Sequence, residues 1–158
     1  MTDLHVGDRL HDLAGRIDRW VTAFAAEHSM VAAVDRGTSD DTPLGEPRWY
    51  LRMIGDEKDF VTVWLTLGQR TLRYETYVMP APEENRETVM EILLRCNDQL
   101  VGAHFAIGQE DAIYLRGELP DVAVSDDELD RVVGTLYATV EANFRRLLRT
   151  GFASRFPT

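Results

Sequence analysis

The chain has one cysteine, one lysine and no long apolar run, and each scarcity excludes a class of protein. Cys96 alone cannot close an internal disulfide, which excludes a disulfide-stapled scaffold and fits a reducing compartment. Apolar runs last only a few residues, against the ~20 needed to cross a bilayer. The start MTDLHVGDRL carries acids and no signal-like apolar core. A soluble cytoplasmic protein is therefore expected. Also missing are HExxH, GxGxxG, a phosphate-binding loop and GxSxG, so zinc, nucleotide and nucleophile-elbow chemistry lack a sequence basis. Cations are few as well. Seventeen lysines and arginines face 27 carboxylates, for a net charge of -10, which argues against nucleic acid or a membrane surface as the main partner. All of those cations but Lys58 are arginine, which reads as genomic base composition rather than a binding task.

What is present is an ordinary globular mixture: 158 residues, 44% hydrophobic and 28% charged, the size of one domain over 1–158. Residues 9–28 place Leu10, Leu13, Ala14, Ile17, Val21 and Phe24 at helical spacing, with Trp20 beside them and Asp8 positioned to cap. The short apolar run 30–34 either extends that helix or forms a small strand. Residues 35–47, DRGTSDDTPLGEP, read as a loop. Strands are expected over 49–54, 60–67 and 71–79. In the second, Val61, Val63, Leu65 and Leu67 alternate with Phe60, Thr62, Trp64 and Thr66; in the third, Leu72, Tyr74, Thr76 and Val78 oppose Arg73, Glu75 and Tyr77.

Pro80-Ala81-Pro82 stops the third strand, and Glu83, Glu84 and Glu87 complement the positive end of a second helix. Its stripe is Val89, Ile92, Leu93, Cys96 and Leu100, flanked by Met90 and Leu94, which suggest a second burial surface. Strands over 103–107 and 112–119 follow. Ser125 and Glu128 form a capping box for a third helix that ends at Gly151, leaving 152–158 as a loose tail. The order is α-β-β-β-α-β-β-α. It implies an α+β fold: an antiparallel five-stranded sheet with helices packed mainly on one face.

Candidate chemistry is sparse. His5, His11, His28 and His104 are scattered without metal-ligand spacing, and only His104, on a strand, invites a search for a partner. Cys96 reads as an inert core residue, Asp40 and Asp41 as solvated loop acids, and Asp126 and Asp127 as capping residues. No catalytic residue, cofactor or metal is expected. The informative feature is the sheet face turned away from the core, which carries Phe60 and Trp64 with Tyr77, Arg73 and Glu75, and on the last strand Tyr114, Arg116 and Glu118. Rings among charged side chains suit a contact with protein or peptide, so Phe60, Trp64, Tyr77 and Tyr114 are the candidate binding residues. Cover by a loop or by a second subunit is the plainer alternative.

Three stretches carry a resemblance: WYLRMIGDEKDFVTVWLTLGQRTLRYETYVMPAPEEN, EILLRCNDQLVGAHFAIGQEDAIYLRGELP and SDDELDRVVGTLYATVEANF. Together they resemble the YbjN family, described as bacterial sensory transduction regulators, most strongly over 49–151. That resemblance implies the fold of type III secretion chaperones, which are commonly homodimers that bind extended segments of partner proteins. It carries no catalytic residue set. The expectation is a non-enzymatic, chaperone-like binding or regulatory module, homodimeric, acting on a protein or peptide partner. Two alternatives stand beside it: a small-ligand sensor with a pocket between helices and sheet, and a hydrolase using His104 with Glu118.

Overall fold

The computed structural model describes residues 2–37 and 44–157, with the backbone alone for 2–6. Helix α1 (Thr2–Glu27) buries Ala14, Ile17, Trp20, Val21 and Phe24, the stripe expected from spacing. Burying each large apolar side chain contributes roughly 1.5–3 kcal/mol, which outweighs the modest propensities of its polar face. The helix begins well before Asp8, so Asp8 lies inside it and caps nothing.

The strands are β1 (Val31–Gly37), β2 (Arg48–Ile54), β3 (Phe60–Leu67), β4 (Thr71–Met79), β5 (His104–Ile107) and β6 (Ile113–Pro120). They form one antiparallel sheet in the order β1-β2-β3-β4-β6-β5. The sheet therefore has six strands, not the expected five. The added strand, β1, sits at an edge with an irregular register between Val31 and Ala33, and most of its side chains face solvent. Half-burial produces the alternation by which a strand is recognised, and an exposed edge has none. Asp35, Arg36 and Gly37 belong to this strand; residues 38–43 of the expected loop lie outside the described residues.

Strands β3 and β4 follow the expected alternation. Val61, Val63, Leu65, Leu72, Tyr74, Thr76 and Val78 are buried under α1 and α3 (Asp126–Gly151), while Phe60, Trp64, Glu75 and Tyr77 face away. Helix α3 also clamps the β2–β3 turn. Glu141 accepts hydrogen bonds from the Asp56 and Glu57 amides at 3.2 and 2.6 Å, and the Tyr137 hydroxyl donates to the Ile54 carbonyl at 2.8 Å. At its start, Ser125 Oγ accepts from the Glu128 amide at 3.2 Å, while the Glu128 carboxylate pairs with Arg131 at 2.6 Å.

Helix α2 (Arg86–Gln99) begins later than the acidic cluster suggests. Asn85 precedes it in a left-handed conformation (φ 52°), so Glu83 and Glu84 lie outside the first turn. Both instead anchor the C-terminal end of the chain. Their amides donate to the Gly151 carbonyl at 2.9 Å, Glu83 pairs with Arg155, and Glu84 accepts from the Ser154 amide. Hydrogen bonding from the Ser154 side chain, and then from its amide, holds the Glu84 carboxyl below its usual range. The tail is correspondingly less loose than expected: Phe152 is buried and Ala153–Arg155 form a 3-10 turn.

Gly117 is obligatory on packing grounds. Gly117 pairs with Tyr74, and a Cβ there would lie 2.6 Å from the tyrosine ring and 2.3 Å from the Gly102 carbonyl oxygen. The ring lies across that gap and its hydroxyl donates to the same carbonyl. Desolvation raises the Tyr74 pKa above its ordinary value.

Candidate functional site: the open sheet face

Antiparallel pairing sets the rows of the face opposite the helices. One row runs Tyr50, Trp64, Glu75, Arg116 and His104 from β2 to β5; the next, toward the β3–β4 turn, brings Arg48, Thr66, Arg73 and Glu118 together. Tyr77 and Tyr114 are direct cross-strand partners. Phe60, Trp64, Tyr77 and Tyr114 thus share one face. Phe60 and Tyr77 are 37% and 39% exposed, and Trp64 and Tyr114 half-buried, so the rings are not sealed in the interior.

The rings come in two pairs. Tyr50 and Trp64 meet edge-on with centroids 4.9 Å apart, and Tyr77 and Tyr114 do so at 5.6 Å, geometries favoured by the ring quadrupole. Each expected ring also has a cation near it. The guanidinium of Arg52 lies 3.7 Å from the centre of Phe60, that of Arg48 4.2 Å from Trp64 and that of Arg116 4.6 Å from Tyr114. Lys58 Nζ is 5.7 Å from Tyr77 and donates to the Phe60 carbonyl at 3.0 Å. Desolvation lowers the Lys58 pKa, an effect opposed by Asp59 and Glu141. Desolvation likewise raises that of Tyr77, with Tyr114 and Glu110 adding to it.

Glu75 stands between two arginines, 3.1 Å from Arg116 Nε and 3.8 Å from Arg48 Nη2, and Glu46 pairs with Arg73 at the end of the face. These groups line an open depression of about 540 Å³ with Trp64 and Thr66 beneath it. His104 and Glu118 line it too, yet no hydrogen bond joins them. The depression offers polar contact points over aromatic floor; it does not present an assembled acid–base pair. Between helices and sheet, where a sensor pocket would lie, Ile17, Leu51, Met53, Val61, Val63, Leu65, Leu129 and Leu136 are all fully buried and fill the layer.

The remaining candidates fall elsewhere. His28 Nδ1 is 3.0 Å from the Phe24 carbonyl, with its ring stacked on Phe24. His11 lies on α1, and the side chain of His5 is outside the described residues. Cys96 is half-buried rather than in the core; its Sγ lies 3.5 Å from Asn143 Oδ1 and 3.6 Å from Arg146. The residues missing from the expected site are those of β2: Arg48, Tyr50 and Arg52. Their signal was available, since the three alternate with the buried Trp49, Leu51 and Met53.

A family model, YbjN ("Putative bacterial sensory transduction regulator"), matches residues 16–149. An uncharacterized protein of Mycobacterium tuberculosis is 36% identical over 108 residues, 68% of this chain and 59% of that protein. An uncharacterized protein of Mycobacterium leprae is 29% identical over 136 residues, 85% of this chain and 74% of that one. The chain thus spans a little under two thirds of the first of these relatives. Among solved structures, the ExsC–ExsE complex matches with a TM-score of 0.52 at 14% identity, over 85% of this chain and 95% of that chain, a likeness of fold. The type III secretion chaperone SycH of Yersinia pestis, in complex with a stable fragment of YscM2, gives a TM-score of 0.47 at 17% identity over 77% and 94% of the two chains.

Proposed function

The chain belongs to the YbjN family, and on that premise we propose that it is a non-enzymatic, chaperone-like module that receives a polypeptide segment on its open sheet face. The observation that carries the reading is the set Phe60, Trp64, Tyr77 and Tyr114, four rings held on one pleated surface with solvent access. Rings fixed by strand pairing lose little conformational freedom on contact, and their planar faces supply area at low entropic cost. A fold shared with a protein solved in complex, ExsC with ExsE, fits this use without specifying a partner. The module is taken as a homodimer, with the outward side of α2 as its second surface: Leu94 is 69% exposed there beside the half-buried Met90. The single cysteine accords with a cytoplasmic setting.

Affinity capture from native lysate, read by mass spectrometry, tests the reading when the wild type is compared with a Trp64→Ala/Tyr77→Ala variant. The wild type retains a discrete set of polypeptides and the variant loses them, with thermal unfolding showing that both remain folded. Equal capture by the two proteins would remove the open face from the account.

A further inference from the structure

The same four rings carry a pattern of charge that restricts what a partner segment can be. On β2, β3, β4 and β6 the open face holds four arginines, Arg48, Arg52, Arg73 and Arg116, against two glutamates, Glu75 and Glu118. These four strands carry an arginine surplus on a chain of net charge -10, with Glu46 at the end of the face and Asp35 of β1, opposite Tyr50, as further acids. Arg73 is hydrogen-bonded to Glu46, whereas Arg116 is ion-paired with Glu75 at 3.1 Å and its Nε makes no hydrogen bond. Arg48 and Arg52 are held more loosely still. Arg52 has no hydrogen-bond or ion-pair partner among the described residues; its guanidinium carbon lies over the Phe60 ring, 3.7 Å from the centre. Arg48 makes no side-chain hydrogen bond either: its Nε is shielded and unpartnered, and its nearest carboxylate, Glu75, is 3.8 Å away.

A guanidinium stacked on a ring keeps its N–H donors in its own plane, directed past the ring edge, where a carboxylate can accept two of them. We propose, resting on the reading of this face as a polypeptide-binding surface, that its occupant is an acidic segment whose Asp and Glu carboxylates pair with Arg48, Arg52 and Arg116 while its apolar residues lie on Trp64, Phe60, Tyr77 and Tyr114. Spacing follows from sheet geometry. Arg48 and Arg116 both reach the Glu75 carboxylate, so their charged groups lie close enough to share one acid, whereas Arg48 and Arg52 are four residues apart along one strand, roughly 13 Å. An extended chain covers the latter span in about four residues. The segment therefore carries carboxylates about four residues apart, with apolar side chains between them. Glu118 and Glu46 at one end of the face and Glu110 beside Tyr77 at the other disfavour acids beyond that window.

The test is selection of phage-displayed random dodecapeptides on the wild-type protein, followed by fluorescence anisotropy with synthetic copies. Selected peptides are expected to be enriched in Asp and Glu and to bind more weakly as salt rises. Converting their acids to Asn and Gln should weaken them about tenfold or more. The Arg48→Gln/Arg116→Gln variant should lose the same factor toward the acidic peptides and nothing toward the amide ones. Arg52→Gln, which breaks no ion pair, serves if the double variant unfolds. Amide peptides that bind as tightly as their acidic parents overturn the acid preference and leave peptide binding at the face standing. Peptides indifferent to Trp64→Ala, or no selected peptide at all, bring down both. A twelve-residue oligodeoxythymidylate that binds more tightly than the acidic peptides overturns the assignment in favour of a phosphate-bearing strand.

Discussion

Thr76 lies wholly buried on the core side of β4, and its hydroxyl has no hydrogen-bond partner among the described residues. A buried hydroxyl without a partner costs free energy that an isosteric methyl does not. Thr76→Val is therefore expected to stabilise the protein by about 1 kcal/mol, measured as a raised urea midpoint at unchanged slope; a lowered midpoint would show that the hydroxyl is satisfied. The side on which Thr76 falls was readable from the alternation with Leu72, Tyr74 and Val78, because burial on one face imposes that period. The fate of a polar tip was not. Tyr74 finds its acceptor in the Gly102 carbonyl, 28 positions away, and its ring space in the missing side chain of Gly117. Such pairings are set by tertiary approach, which local pattern does not encode. The same holds for the arginines. Their abundance suggests only composition, whereas three of them lie over the rings of the open face.

Asn97 shows how α2 is fixed to the sheet. Its side chain accepts from the Phe105 amide at 2.7 Å and donates to the Phe105 carbonyl at 3.2 Å, so one amide group completes the edge of β5 as a neighbouring strand would. That attachment, with Val89 and Leu93 buried, leaves Leu94 pointing outward. If the outer side of α2 joins two copies, the wild type sediments as a dimer at micromolar concentration and Leu94→Glu sediments as a monomer with unchanged helical circular dichroism. A monomeric wild type, or a dimeric variant, would count against this interface. The apolar surplus on α2 was visible in sequence through Met90 and Leu94, while the helix start was misplaced. Glu83 and Glu84 carry the composition of a first turn, yet they are used to hold the chain's C-terminal end. Strand β1 is legible only as one of two options for 30–34, since its pairing with β2 relies on backbone groups that any side chain permits.

The whole chain divides its labour between two sides of one sheet. Helices α1 and α3 take one side, and the apolar layer between fixes the strands in register. The other side presents rings and guanidiniums whose positions that register determines. A chain of net charge -10 repels acidic polymers at a distance, so an acidic segment depends on the local arginines of the open face to be held. The three tryptophans report on this division. Trp20 Nε1 donates to Asp130 and Trp49 Nε1 to Asp18, at 2.9 and 2.8 Å, both tied down at the helices, whereas Trp64 lies among the open-face rings beneath Arg48. An indole N–H correlation spectrum, recorded as a selected acidic peptide is added, therefore reads the binding site in three peaks. The account predicts that the Trp64 peak moves and the Trp20 and Trp49 peaks stay; movement of Trp20 or Trp49 with Trp64 unchanged would place the partner on the helical side and contradict it.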